Sequence, residues 1–243
     1  MIRNLKVLLA AAMALMAFGA LASAAQASKF TAPLVGASGE TTISAKPDET
    51  GGTKTAHHVF DITNPLKTTE VLSITCNEVT GDTVIKGEST EEVTITPHWG
   101  KTVEGKFKTE CNFAGQEVEV STGACQLKFT ASGLVHIEKD PGVEGECKHG
   151  KNPIFFAVTG AFECRVEIGE QTIEGVKYHA GPTIGGKPTI TVEMTNLVMV
   201  ANASGVACPW GTGKIATYTT GNTIITGAVK GSTTEMREIK WDA

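Results

Sequence analysis

Apolar and polar residues alternate along short stretches of this chain, in the pattern that is typical of half-buried β-strands. In residues 162–168, apolar or cysteine residues alternate strictly with charged ones. Successive side chains of a strand leave opposite faces of the sheet. The segment therefore predicts a strand with a buried face that includes Cys164 and a solvent-facing, charge-paired row of Glu163, Arg165 and Glu167.

Two more cysteines lie two positions away from an apolar residue. Cys76 lies two residues after Ile74, and Cys125 lies two residues before Leu127. Because residues two apart share a face of a strand, we expect both sulfurs to point toward the core.

Similar patterns predict many other strands, and turn-forming clusters such as Asp140-Pro141-Gly142 separate them. No amphipathic helix is predicted beyond the N-terminal segment, so the chain is expected to be all-β, an antiparallel sandwich or barrel. The further predicted strands are residues 57–62, 82–86, 92–96, 118–121, 134–138, 154–158, 173–178, 189–194, 197–200, 215–219 and 223–229.

Composition supports the same fold class. Threonine occurs 33 times, always after residue 27, and valine and isoleucine are frequent. These β-branched residues lose χ1 freedom in a helix but fit a pleated strand.

The first 27 residues have the pattern of a removable export signal, which would form a helix. Arg3 and Lys6 precede a nearly uncharged apolar stretch at residues 7–21, and small residues then offer cleavage after Ala24 or Ala27. We favour Ala27. An uncleaved anchor is the alternative, but about 15 apolar residues are short for a bilayer. After cleavage we expect no stable membrane insertion, and a protein that is secreted, extracellular or associated with the cell envelope.

The mature chain, residues 28–243, is long enough to bury one substantial core. It is expected to be one disulfide-stapled β domain, or two β lobes at about residues 28–140 and 141–243. All six cysteines follow the signal, so an even set reaches an oxidising compartment, where disulfides form.

Six cysteines allow 15 pairings. Cys111 to Cys125 and Cys147 to Cys164 each span a segment with the pattern of two strands, in which the sulfurs could meet across a hairpin. We therefore predict Cys111 with Cys125 and Cys147 with Cys164, which leaves Cys76 with Cys208.

Several of these segments carry a resemblance. The spacing of residues 93–97, Cys111, residues 123–129 and Cys208-Pro209 resembles a group of secreted bacterial proteins of uncharacterised role that are rich in Thr, Val and paired cysteines. The resemblance implies a secreted β-rich fold and no functional residue.

Charge and motifs exclude several classes of function. Without the two basic residues of the signal, 19 basic residues face 26 acidic ones, a net charge of about −7. An acidic chain without a basic cluster has no electrostatic reason to bind nucleic acid. No nucleophile elbow, zinc-protease motif, Cys-x-x-Cys, phosphate loop or dinucleotide fingerprint is present, so no cofactor is expected.

The histidines do not predict a metal site. His57 and His58 are adjacent in a predicted strand, so their side chains leave opposite faces. Cys147-Lys148-His149 could place sulfur and nitrogen on one face, but a disulfide at Cys147 would remove that ligand. We expect no metal.

A group of nearby carboxylates suggests an alternative function. Glu138 and Asp140, with Glu144 and Glu146 close behind, could form the acid and nucleophile pair of a secreted glycosidase-like hydrolase. Pro141 interrupts the strand where a further carboxylate would be needed, so we expect a solvated loop instead.

Two tryptophans are the candidate binding residues. Trp99 and Trp210 lie in predicted turns, where an exposed indole could stack on a sugar ring or contact a partner. The alternative is that each folds back to cover an end of the core. Taken together, the sequence favours a secreted non-catalytic protein, either structural or binding an extracellular polymer or protein.

Overall fold

The structure is a computed structural model in which residues 28–32, 40–47, 58–64, 67–103, 106–158, 163–206, 208–229 and 235–242 are described. The predicted signal helix lies outside these residues. Within them, no helix is long and apolar enough to cross a membrane.

The described chain is built from β-strands, which confirms the all-β class. In chain order the strands are β1 (Lys29–Thr31), β2 (Glu40–Pro47), β3 (His58–Asn64), β4 (Lys67–Cys76), β5 (Gly81–Lys86), β6 (Ser89–Thr90), β7 (Glu92–Ile95), β8 (Gly100–Val103), β9 (Lys106–Thr109), β10 (Cys111–Phe113), β11 (Gln116–Ser121), β12 (Cys125–Thr130), β13 (Leu134–Lys139), β14 (Ile154–Val158), β15 (Cys164–Ile168), β16 (Gln171–Glu174), β17 (Lys177–Ala180), β18 (Ile190–Glu193), β19 (Leu197–Ser204), β20 (Gly213–Thr220), β21 (Asn222–Val229), β22 (Met236–Arg237) and β23 (Lys240–Asp242).

Eight of these strands form a closed antiparallel barrel in the order β10-β11-β14-β15-β19-β20-β3-β4. Its inward positions are apolar and buried and alternate with more exposed ones, as in β19, where Leu197, Met199, Ala201 and Ala203 are buried and the residue after each is more exposed. An eight-stranded barrel is just wide enough for such side chains to fill.

Two larger sheets accompany the barrel. One has four strands in the order β16-β13-β12-β7, and the other has the order β17-β18-β21-β2-β5, with β22 paired to β21. Both of these sheets, the barrel and the small sheet β23-β1-β6 combine strands from both sides of residue 140. The boundary suggested for two lobes therefore does not separate one set of sheets from another.

The strand register defines two ends of the barrel. At the Trp210 end lie the hairpin turn between β10 and β11 and the loop that joins β19 to β20. At the His58 end, His58 opens β3 opposite Cys76, and Cys76 in turn lies opposite Cys111. The two larger sheets cover the His58 end, as the lining of the cavity described below shows.

All six cysteines form disulfides, but the predicted pairing is wrong. The structure joins Cys76 to Cys111, Cys125 to Cys147 and Cys164 to Cys208. The error has a topological cause. Ser121 ends a barrel strand while Cys125 begins a strand of the four-stranded sheet, so Cys111 and Cys125 belong to different sheets.

Cys147 also differs from the prediction, since it lies in the loop between β13 and β14 rather than at the end of a hairpin. The predicted burial is nevertheless confirmed: Cys76, Cys125 and Cys164 are at most 3% exposed.

Most predicted strands are confirmed, with ends that differ by a few residues. The predicted strand at 173–178 is divided into β16 and β17 at Gly175, whose φ of 95° an L side chain rarely adopts. The pattern did not single out β2 or the short strands β1, β6, β8, β9, β22 and β23.

We expect the disulfide between Cys76 and Cys111 to be needed for barrel stability. Replacing both residues with alanine releases a closed loop of 35 residues, which the chain-entropy relation values at about 4 kcal/mol of unfolding free energy. Urea titration of this variant should show a lower midpoint. The matched comparison is the variant in which Cys125 and Cys147 are both replaced by alanine, because the disulfide between them lies outside the barrel.

Peptide mapping of the unreduced protein checks the pairing itself. A peptide that links Cys111 to Cys125, or a urea midpoint that stays at the wild-type value without the Cys76 bridge, would contradict the description.

Candidate functional site: an apolar cavity at the His58 end of the barrel

A cavity of about 100 Å³ lies where the barrel meets the two larger sheets. All three contribute to its wall, and neighbouring loops complete it. The barrel supplies residues that include His58, Phe60, Phe156, Ile168 and Met199; the four-stranded sheet supplies Ile95, Leu127, Ile137 and Ile173; the β2-containing sheet supplies Ala45, Val192, Thr223 and Ile225; and loops supply Pro97, Trp99 and Met194.

The wall is apolar because each sheet turns its buried face toward this point. Ile95, Leu127 and Ile137 occupy one cross-strand row of the four-stranded sheet, in register with one another. Among the described residues, no carboxylate, lysine or arginine lines the cavity. A molecule held here would be surrounded mainly by hydrocarbon.

His58 is the titratable side chain of the wall. It is the first residue of β3, it shares the inward face of that strand with Phe60 and Ile62, and it is 3% exposed. Its Nε2 is hydrogen-bonded to the Thr223 hydroxyl at 3.2 Å. Burial lowers the pKa of the His58 imidazole to about 4, so the ring is neutral at physiological pH.

Trp99 is a second wall residue, but it is not exposed. Its side chain is 7% accessible and packs edge-to-face on Phe156, with ring centroids 5.8 Å apart. The indole of Trp210 is completely buried at the other end of the barrel, where it packs on Phe113 at 4.8 Å. Neither indole is exposed, so the structure agrees with the alternative expectation that Trp99 and Trp210 each cover an end of the barrel core.

The candidate catalytic carboxylates lie outside the cavity wall, and three of them have other partners. Glu138 accepts a hydrogen bond from Gln126 and pairs with Lys128 at 3.2 Å. Asp140 accepts a hydrogen bond from the Gly142 backbone N–H at 2.7 Å and so stabilises the turn. Glu146 pairs with Lys148, and Glu144 is exposed. The structure does not bring these groups together at the cavity.

The segment Cys147-Lys148-His149 likewise makes structural contacts. The sulfur of Cys147 is in a disulfide, and His149 Nδ1 contacts Glu167. The described part of the chain contains no cluster of three His, Cys, Asp or Glu side chains that could hold a metal ion.

Glu167 departs from the predicted solvent-facing row, because it is only 6% exposed. The loop that carries His149 covers it: the Gly150 N–H donates to one carboxylate oxygen at 3.0 Å, and Arg165 Nε donates to the other at 2.7 Å. The predicted pairing of Arg165 with Glu167 is confirmed, and the Arg165 guanidinium also lies over the Phe155 ring.

Two opposing effects act on the Glu167 carboxyl. Burial by itself raises the pKa, but the hydrogen bonds from Gly150 and Arg165 and the neighbouring positive charge outweigh it, so the pKa lies below its ordinary value. The carboxylate thus stabilises this loop above the ordinary pKa of glutamate, and the contribution is lost as the pH falls through the lowered pKa.

Sequence reasoning missed the cavity because its wall comes from strands that are distant in the chain. The available signal was the two-residue spacing of His58, Phe60 and Ile62. This spacing places the imidazole on the same face of the strand as two apolar side chains. What the sequence could not show was which other sheet faces that position.

Comparisons with known proteins add no family. No family model, no curated protein and no solved structure matches this chain. The resemblance to secreted cysteine-rich β-proteins therefore stays an expectation, and functional inference depends on the cavity alone.

Replacement of His58 by leucine should remove part of the acid sensitivity of the fold. Between pH 6.5 and pH 4 the unfolded chain binds a proton that buried His58 does not, so the wild type loses stability as the pH falls, by about 3 kcal/mol at pH 4. The leucine variant lacks this loss. Urea unfolding at pH 7, 5.5 and 4 measures it.

His136→Gln is the matched control, because His136 lies outside the cavity wall and hydrogen-bonds Thr172 at the surface. That variant keeps the loss caused by His58. If the stability curves of the wild type and His58→Leu run parallel from pH 7 to pH 4, the neutral buried imidazole is contradicted.

Proposed function

We propose that this protein is a secreted, non-catalytic binding protein that holds a small apolar molecule in the cavity at the His58 end of the barrel. Secretion is supported by the sequence pattern of residues 1–27 and by three disulfides, which are typical of oxidising compartments. Binding is supported by the cavity itself.

The single observation that carries the proposal is the apolar wall around an unfilled volume. Protein interiors are close-packed, so a void of about 100 Å³ among isoleucine, valine and aromatic side chains forfeits packing contacts. A molecule that fills the void recovers those contacts. An engineered apolar cavity of about 150 Å³ in another protein binds benzene, which sets the scale of the ligand at a single small ring or a short chain.

The candidate residues for surface binding and for hydrolysis do not favour either of those functions. A sugar or protein contact through Trp99 or Trp210 needs exposed indoles, and both are buried. A carboxylate-dependent hydrolase needs two facing carboxyl groups in a cleft, and Glu138, Asp140, Glu144 and Glu146 lie outside the cavity wall. We therefore place the binding function in the cavity rather than on a surface or at these carboxylates.

Titration with benzene and toluene tests the proposal. We expect saturable binding at one site and a rise in melting temperature that follows ligand concentration, because a ligand that binds only the folded state stabilises it by mass action. Ala45→Leu adds three carbon atoms at the cavity wall and should abolish the rise.

The matched control is Ala157→Leu, the same substitution at a half-buried barrel position outside the wall, which should bind as the wild type does. The proposal fails if neither probe gives a saturable shift, or if Ala45→Leu binds as tightly as Ala157→Leu.

A further inference from the structure

The cavity has few polar side chains, and they define what its ligand can carry. His58, Thr80 and Thr223 are the wall residues with side-chain hydrogen-bonding groups other than the indole of Trp99. The backbone N–H and carbonyl of Thr80 are both paired with those of His98. The side chains of His58 and Thr223 are hydrogen-bonded to each other, and they form a paired polar group in a wall that is otherwise mainly hydrocarbon.

Charge is excluded from this site by the cost of burial. An ionised ligand would lose its hydration without meeting an opposite charge, because no lysine, arginine or carboxylate of the described chain lines the wall. The imidazole is neutral as well, so it offers no counter-ion. A ligand of this cavity is therefore neutral.

The neutral imidazole retains one nitrogen for a ligand. Nε2 is engaged by Thr223, and no side-chain hydrogen bond from Nδ1 to another described residue accompanies it. A neutral histidine has one N–H donor and one acceptor nitrogen. If Nε2 donates to the Thr223 oxygen, then Nδ1 accepts; if Thr223 donates to Nε2, then Nδ1 carries the proton and donates.

A hydroxyl group satisfies both arrangements, because it is both a donor and an acceptor. A carbonyl would satisfy only one of them, and a plain hydrocarbon would leave Nδ1 without a partner in an apolar site, which costs binding free energy. The mainly apolar wall and the His58–Thr223 pair thus both favour a ligand with an apolar body and a hydroxyl group.

We infer that the ligand is a small neutral alcohol or phenol, whose apolar body fills the cavity and whose hydroxyl hydrogen-bonds His58 Nδ1. This inference rests on the proposed binding function and specifies its ligand class. His58 acts as the specificity-determining residue, and Thr223 holds its ring in place.

A comparison of the dissociation constants of phenol and toluene tests the inference, because the two probes have nearly the same size and only phenol carries a hydroxyl. Dissociation constants for both are measured by calorimetry on the full mature protein at pH 7, for the wild type, His58→Leu and His58→Gln. Benzoate serves as the charged probe of similar size.

We expect the ratio of the toluene to the phenol dissociation constant to fall about tenfold in His58→Leu, the loss of one hydrogen bond, and to recover in part in His58→Gln, whose amide can donate and accept. Benzoate should not bind the wild type. Toluene should bind all three proteins.

The outcomes separate the two proposals. If toluene binds but the ratio is the same in the wild type and His58→Leu, the hydroxyl inference is overturned while the apolar cavity function stands. If benzoate binds as tightly as phenol, the neutral ligand class is overturned. If no probe binds the wild type, the proposed function itself fails. Thr223→Val, which keeps the imidazole, is the second variant and should give a smaller change in the same ratio.

Discussion

Closure of the barrel at the pairing of β4 with β10 is the constraint on which the rest of the structure depends. A barrel has no free edge only when its last strand pairs with its first, and here the final pairing is made by a strand of three residues. Two registered residue pairs join these strands, and one of them, Cys76 opposite Cys111, is also covalent. The disulfide thus fixes one of the two shortest strand pairings of the barrel, and the inward faces of all eight strands stay buried as a consequence.

The two ends of the closed barrel are covered in different ways. At one end Trp210 is completely buried against Phe113, on a loop that the Cys164–Cys208 disulfide ties to β15. At the other end two sheets cover the opening, and residues of both sheets and of the barrel line a cavity of about 100 Å³. The cavity is thus a consequence of how the barrel is covered, and its chemistry follows from the residues on the inward rows.

Much of the architecture was predictable from local pattern. The period-two alternation placed most strands and the buried faces of Cys76, Cys125 and Cys164, because burial of one face depends on local sequence. The pairing of cysteines was not predictable, since it depends on the chain leaving the barrel between Ser121 and Cys125. The burial of Glu167 and the position of His58 in a cavity wall depend in the same way on which loop or sheet lies opposite, and a single sequence does not contain that information.

The central claim is that the covered end of the barrel holds an apolar cavity able to take a small molecule. Diffraction from crystals of the protein pressurised with xenon tests it most directly, because xenon binds in apolar cavities and needs no polar contact. The account predicts one strong xenon site among His58, Trp99 and Ile137. An empty or collapsed space at that position, with ordered side chains in contact across it, would contradict the account.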